Sequence, residues 1–143
     1  MEKKAHTAKS LIISTMDKYV RYISKCWVGQ THDFTMLKEE FPPEKPWFKN
    51  HEVQLDLGFL GFDKTYECGL VRLPCKRAKG QELTAEQKKG NKEISSERIK
   101  VEHSIGGMKR FRILSDRARI HDIELYDDIL GVCAGLWNYY LTH

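Results

Sequence analysis

The sequence predicts a single α/β domain, a mixed sheet with flanking helices, and three observations carry that expectation. Short apolar runs bounded by turn residues fill the first half of the chain, at residues 11–13, 19–27, 51–57 and 70–73. Helical periodicity fills the second half, after Glu82 and again over residues 120–141. The length, 143 residues, allows one real core and is short for two.

Taken in order, residues 1–9 are polar and basic and give way to Leu11, Ile12 and Ile13. Met16, Asp17 and Lys18 separate that run from Val20, Tyr22 and Cys26, so the two runs read as an antiparallel hairpin. A short helix follows, with Thr31 or Asp33 as its cap, Phe34, Leu37 and Phe41 at helical spacing, and Pro42 and Pro43 closing it. His32 beside Asp33 is chemically tempting, but a capping carboxylate next to a turn histidine is the commoner arrangement. Residues 42–50 are a proline-rich loop whose Trp47 and Phe48 are expected to pack back on the domain.

Residues 51–61 give a short strand that ends at Asp56 and then turns through Gly58 and Gly61. A carboxylate at the carboxyl end of a strand is well placed to be offered to a metal, although strands also simply end this way. A further short strand at residues 70–73 leads into a basic loop, and Thr84 with Gln87 three residues later reads as a capping box.

The stretch SSERIKVEHSIGGMKRFRIL, residues 95–114, is the centre of interest. As a helix it gathers Ser95, Arg98, Glu102 and Lys109 within about 60° of the wheel, at 3.6 residues per turn. Ile94, Val101, Ile105 and Met108 form an adjacent apolar line, the side to be buried. Glu102 then stands at the edge of a core between two cations; the plain alternative is a solvated Arg98–Glu102 pair worth about 0.2–0.5 kcal/mol. Gly106 and Gly107 interrupt this helix, marking a kink or a close approach of another backbone or of DNA. The last segment, residues 120–141, is expected to be a core helix packed on the sheet through Ile123, Leu130, Cys133, Leu136 and Tyr140, with Asp127 and Asp128 near its start.

Charge is uneven along the chain. Residues 72–119 hold 14 Lys+Arg against 6 Asp+Glu, a block suited to polyanions and above all to nucleic acid. Cys26, Cys68, Cys75 and Cys133 show no zinc-ligand spacing and are expected to be reduced thiols. No apolar run approaches 18 residues and Met1 opens onto Glu2, Lys3 and Lys4, so a cytoplasmic protein without membrane contact is expected.

Four strings resemble one family. S-x2-R-x3-E-x6-K from Ser95 is similar to the Y-x2-R-x3-E-x6-K signature of insertion-sequence DDE transposases, with Ser95 where that signature has tyrosine. G-x-T-H-D at Gly29–Asp33 resembles the family's G-[ST]-x-H-D, D-L-G-F-L-G from Asp56 resembles D-x-G-[YF]-x-G, and the P-x-K-x-x-K-G-x-E-L-T-x-E-Q-K phrase from Pro74 also resembles it. The resemblance implies a ribonuclease H-like catalytic domain, here incomplete at its N-terminus and spanning residues 1–143 as a partial domain.

What the resemblance implies chemically is metal-dependent DNA strand cleavage and transfer during transposition. Three carboxylates hold two Mg²⁺ or Mn²⁺ ions in the family, and Asp56 and Glu102 correspond to the second and third as catalytic and metal-binding residues. Arg98 and Lys109 are expected to contact DNA, with Lys100 and Arg110 adding to the strip. In the relatives the first Asp precedes a segment like KKAHTAKS, with which this chain begins, and Asp17 in its turn is a poor substitute. The chain is therefore expected to be the C-terminal portion of a transposase, inactive alone, its partners being element-end and target DNA, an upstream-encoded N-terminal half, or a second copy. The alternative is a non-catalytic DNA-binding or regulatory remnant. Endonuclease activity of the isolated chain is left open.

Overall fold

A computed structural model describes residues 8–115 and 122–143. Residues 3–7 of the KKAHTAKS segment, and Arg117, Arg119 and Ile120 of the basic strip and last helix, lie outside the described residues. The chain divides into two compact units, one of Met1–Gln30 with Arg98–His143 and the other of Thr31–Glu97.

The first unit opens with the expected hairpin. Strand β1 (Ala8–Lys9) pairs antiparallel with β4 (Trp27–Val28), and β2 (Ile12–Ser14) with β3 (Val20–Ile23). Between the two ladders Ser24 is buried, and its hydroxyl accepts from the Leu11 N–H at 2.8 Å while donating to the Lys25 carbonyl at 2.8 Å. A side chain thus substitutes for a ladder bond there, which splits one long hairpin into two short pairings. The tip is a tight turn: Lys18 N–H reaches the Thr15 carbonyl at 3.0 Å, and Lys18 takes the left-handed conformation, φ 69°.

Helix α5 (Ile123–Thr142) is capped by Asp122, whose carboxylate accepts from the N–H groups of Glu124 and Leu125. It buries Leu130, Cys133, Ala134 and Trp137. Leu130, Ala134 and Trp137 pack with Val20 and with Met108 near the end of α3 (Ala85–Lys109), and Ile12, Ile23, Leu114 and Leu141 close around them. The expected face was rotated: Ile123, Leu136 and Tyr140 are exposed. Helix α5 carries apolar residues on two sides, so periodicity alone could not choose between Leu136 and Trp137. Asn138 joins helix to hairpin as an extra strand residue would, accepting from Val20 N–H and donating to Val20 C=O, both at 2.8 Å. The short helix α4 (Arg112–Ser115) follows α3.

The second unit holds α1 (Asp33–Glu40), β5 (Glu52–Gln54), a 3-10 turn (Leu57–Phe59), α2 (Phe62–Thr65) and β6 (Leu70–Arg72). Its core is Met36, Leu37, Phe62 and Tyr66. Phe48 packs on Phe41, Phe62 and Tyr66 with ring centroids 5.3–5.5 Å apart, and Trp47 donates to the Pro42 carbonyl at 2.9 Å, so the proline-rich loop folds back as expected. Strands β5 and β6 pair in parallel. The strands described here pair only two by two, both parallel and antiparallel, so the expected mixed sheet is present as three small sheets.

The first half of α3 is fixed to that parallel pair. Thr84 and Gln87 form the reciprocal capping box, at 3.0 and 3.2 Å. Gln54 donates to the Ile94 carbonyl at 2.8 Å, and the guanidinium of Arg72 bridges Glu52 at 2.7 Å and Glu97 at 3.0 Å. Asn91 holds the backbone N–H and C=O of Cys75 at 2.8 and 3.0 Å. Among the described residues, no helix is long and apolar enough to cross a membrane.

Candidate active site

Asp56 lies in the second unit, just past the carboxyl end of β5. Leu55 still follows the ladder, its N–H reaching the Arg72 carbonyl at 3.0 Å, and the chain then leaves the sheet. Asp56 is exposed and caps the 3-10 turn, one carboxylate oxygen accepting from Leu57 N–H at 2.7 Å. The glycines after it have distinct tasks. Gly61 adopts φ 96° at the start of α2, a conformation that disfavours any side chain. At Gly58 the reason is space, since a Cβ there would lie 2.7 Å from the Asp33 carboxylate.

That contact joins two of the strings singled out in the sequence, the H-D pair and the D-L-G-F-L-G turn. It also corrects the reading of α1: the cap is neither Thr31 nor Asp33 but His32, whose Nδ1 accepts from Phe34 N–H at 3.3 Å. Histidine is a rare cap, so pattern alone missed it. The sequence offers Asp33 as a cap or as a chemical neighbour of His32, not as a partner of the Asp56 turn; the glycine two residues after Asp56 is the signal that something approaches closely there.

Glu102 lies in the first unit, on the exposed side of α3. The expected lines are present: Arg98, Lys100, Glu102, Lys109 and Arg110 are exposed, Met108 is buried, and Ile94, Val101 and Ile105 are half-buried. Arg98 Nε stands 3.3 Å from Glu102 Oε1, with the two side chains 49% and 57% exposed. An ion pair so open to water contributes little stability, which leaves both groups cheap to redirect toward a ligand. The Arg110 guanidinium sits over the Tyr140 ring at 4.5 Å, a cation–π contact that orients it. Lys109 lines a small apolar depression with Ile12, Ile105, Leu114 and Tyr126.

Two features of α3 were not foreseen. Ser104 is fully buried, its hydroxyl 2.8 Å from the Lys18 carbonyl. The helix also runs unbroken through Gly106 and Gly107 to Lys109, contrary to the expected interruption. What comes close to Gly107 is an aromatic ring: a Cβ there would meet Trp137 at 2.3 Å, whereas at Gly106 it would meet nothing within 4 Å.

The donor chemistry of Asp56 and Glu102 suits a hard divalent cation, which takes carboxylate oxygens. Among the described residues, however, no group of three or more His, Cys, Asp or Glu side chains is arranged to hold a metal ion. The thiols do not compensate. Burial raises the Cys26 thiol pKa, with nearby Asp127 adding to the rise, and burial likewise raises that of Cys133.

The family described as DDE superfamily endonuclease matches residues 1–138. The chain belongs to that family. It is also 35% identical over 116 residues to a protein of Microchaete diplosiphon named "Probable transposase for insertion sequence element IS702". The match covers 80% of this chain and 39% of that transposase, so the chain spans well under half the length of the curated relative. No solved structure matches this DDE endonuclease-family chain.

Proposed function

We propose that this DDE-family chain is the part of a transposase that contributes two carboxylates, Asp56 and Glu102, to metal-dependent cleavage and transfer of DNA strands on a ribonuclease H-like scaffold. The observation that carries the reading is the position of Asp56, presented by a turn at the carboxyl end of a parallel strand within one of the family's strings. Glu102 adds a second exposed carboxylate on α3. Carboxylates of this kind would hold Mg²⁺ or Mn²⁺, which would supply charge neutralisation for the attacking and leaving oxygens at phosphorus. Arg98, Lys100, Lys109 and Arg110 hold DNA phosphates beside Glu102, and the Arg98–Glu102 pair opens as a phosphate competes for the guanidinium.

The test combines plasmid nicking with DNA binding. In Mn²⁺ the chain is expected to bind DNA more tightly than in EDTA, and the Asp56→Asn, Glu102→Gln double variant to lose that difference. Binding should weaken steeply with salt, and removing Arg98 and Lys109 together should lower the slope of log affinity against log salt by about 2. A second reading, a DNA-binding or regulatory protein without metal chemistry, is favoured by one observation: Glu102 is already paired with Arg98 at 3.3 Å. Equal affinity in EDTA and Mn²⁺, for the native chain and the double variant alike, would select it.

A further inference from the structure

Building on the reading of Asp56 as a metal ligand, we infer that Asp33 is a positioning residue that fixes the Asp56 turn. All the observations lie within the second unit. At the start of α1 the N-cap is His32, whose Nδ1 accepts from Phe34 N–H, and Asp33 is the first residue of the helix itself. The Asp33 side chain lies against the 3-10 turn, where a Cβ on Gly58 would be 2.7 Å from its Oδ2 and 3.4 Å from its Cβ and Cγ. Only a hydrogen on Gly58 leaves room for this contact.

The turn has little support of its own. It is three residues long and closed by two backbone bonds, Phe59 N–H to Asp56 C=O at 3.0 Å and Leu60 N–H to Leu57 C=O at 3.4 Å. Leu57 and Leu60 are 41% and 40% exposed, so apolar burial adds little. Such a turn keeps one conformation only if a neighbour packs against it, and Asp33 on α1 provides that contact on the Gly58 side. The direction of the Asp56 carboxylate follows the turn, because its Oδ1 is tied to Leu57 N–H at 2.7 Å. A group that orients a ligand without touching the metal commonly changes metal affinity about 10- to 100-fold when removed. The H-D pair and the D-L-G-F-L-G turn are thus two halves of one device.

The experiment is a Mn²⁺ titration of the full chain, read as paramagnetic broadening of the amide resonances of Leu57, Gly58 and Phe59, with thermal midpoints measured alongside. Asp33→Ala is expected to need about tenfold more Mn²⁺ for half-broadening. Asp33→Asn keeps an oxygen in the same place and should return to within about threefold of the native chain, at a thermal midpoint like that of the alanine variant. Asp33→Ser, whose hydroxyl stops short of Gly58, provides the same comparison if the alanine variant does not fold. Gly58→Ala, which pushes the Asp33 carboxylate aside, should behave as Asp33→Ala does. If Asp33→Ala titrates like the native chain while Asp56→Ala loses the broadening, Asp33 does not position the turn. If Asp56→Ala itself broadens like the native chain, Asp56 is not a ligand, and the inference falls with that reading.

Discussion

Adjacent glycines in α3 should respond to the same substitution with opposite signs. At Gly106 a methyl group meets nothing within 4 Å, so Gly106→Ala gains the helix propensity of alanine, up to about 1 kcal/mol. At Gly107 the same gain is offset by collision with Trp137, where the new Cβ would sit 2.3 Å from Cε3 and Cζ3 and 2.6 Å from Cδ2. Trp137 cannot yield freely. It is buried among Val20, Met108, Leu130 and Ala134, and its Nε1 donates to the Lys18 carbonyl at 2.9 Å. Overpacking of this kind costs about 1–3 kcal/mol, and displacing the indole forfeits a hydrogen bond worth about 1 kcal/mol more. After the propensity gain is subtracted, Gly107→Ala should be destabilised by about 2 kcal/mol. Urea unfolding followed by circular dichroism measures both variants, with tryptophan fluorescence reporting on the displaced ring. A Gly107→Ala chain as stable as the native one, or more stable, would refute the packing argument for this helix pair.

Asn138→Ala removes both partners of a buried residue, Val20, and should destabilise by about 2–6 kcal/mol, since each orphaned backbone group costs about 1–3 kcal/mol. Asn138→Asp, which keeps the acceptor and loses the donor, should fall between the two in the same urea assay. The pH profile should have a falling alkaline arm. The Cys26 and Cys133 thiols are raised above the ordinary value of 9.0, so their contribution is complete below pH 9.0 and is lost as pH climbs through their folded values. Thermal midpoints should therefore decline above that point, and substituting both cysteines by serine should flatten the decline; an unchanged slope would remove this explanation.

What the sequence made legible was local. The Thr84–Gln87 capping box, the hairpin turn at residues 16–18 and the short strand before Asp56 depend on neighbours a few residues apart, and all three are present, the strand ending at Gln54, two residues before Asp56. What stayed hidden depends on partners far along the chain. Gly107 meets a ring 30 residues away, Ser104 bonds a carbonyl 86 residues away, and Gly58 makes room for Asp33. Composition made Gly107 look like a helix breaker because glycine's backbone freedom is a local property, whereas its lack of volume matters only once Trp137 arrives. The candidate site divides the same way. The residue types at Asp56, Arg98, Glu102 and Lys109 could be read from spacing, but the contact that supports the Asp56 turn could not.

The carbonyl of Lys18 receives two donors at once, the Ser104 hydroxyl at 2.8 Å and the Trp137 indole at 2.9 Å. A hairpin tip is ordinarily where a protein accepts an inserted peptide, a fluorophore or a protease cut, because its backbone faces water. Here the tip is fastened at both lone pairs of one oxygen, to two helices of the second half of the chain, α3 and α5. Anyone labelling this protein should leave residues 15–19 intact and insert at Gly80, where the backbone is left-handed and nothing stands within 4 Å.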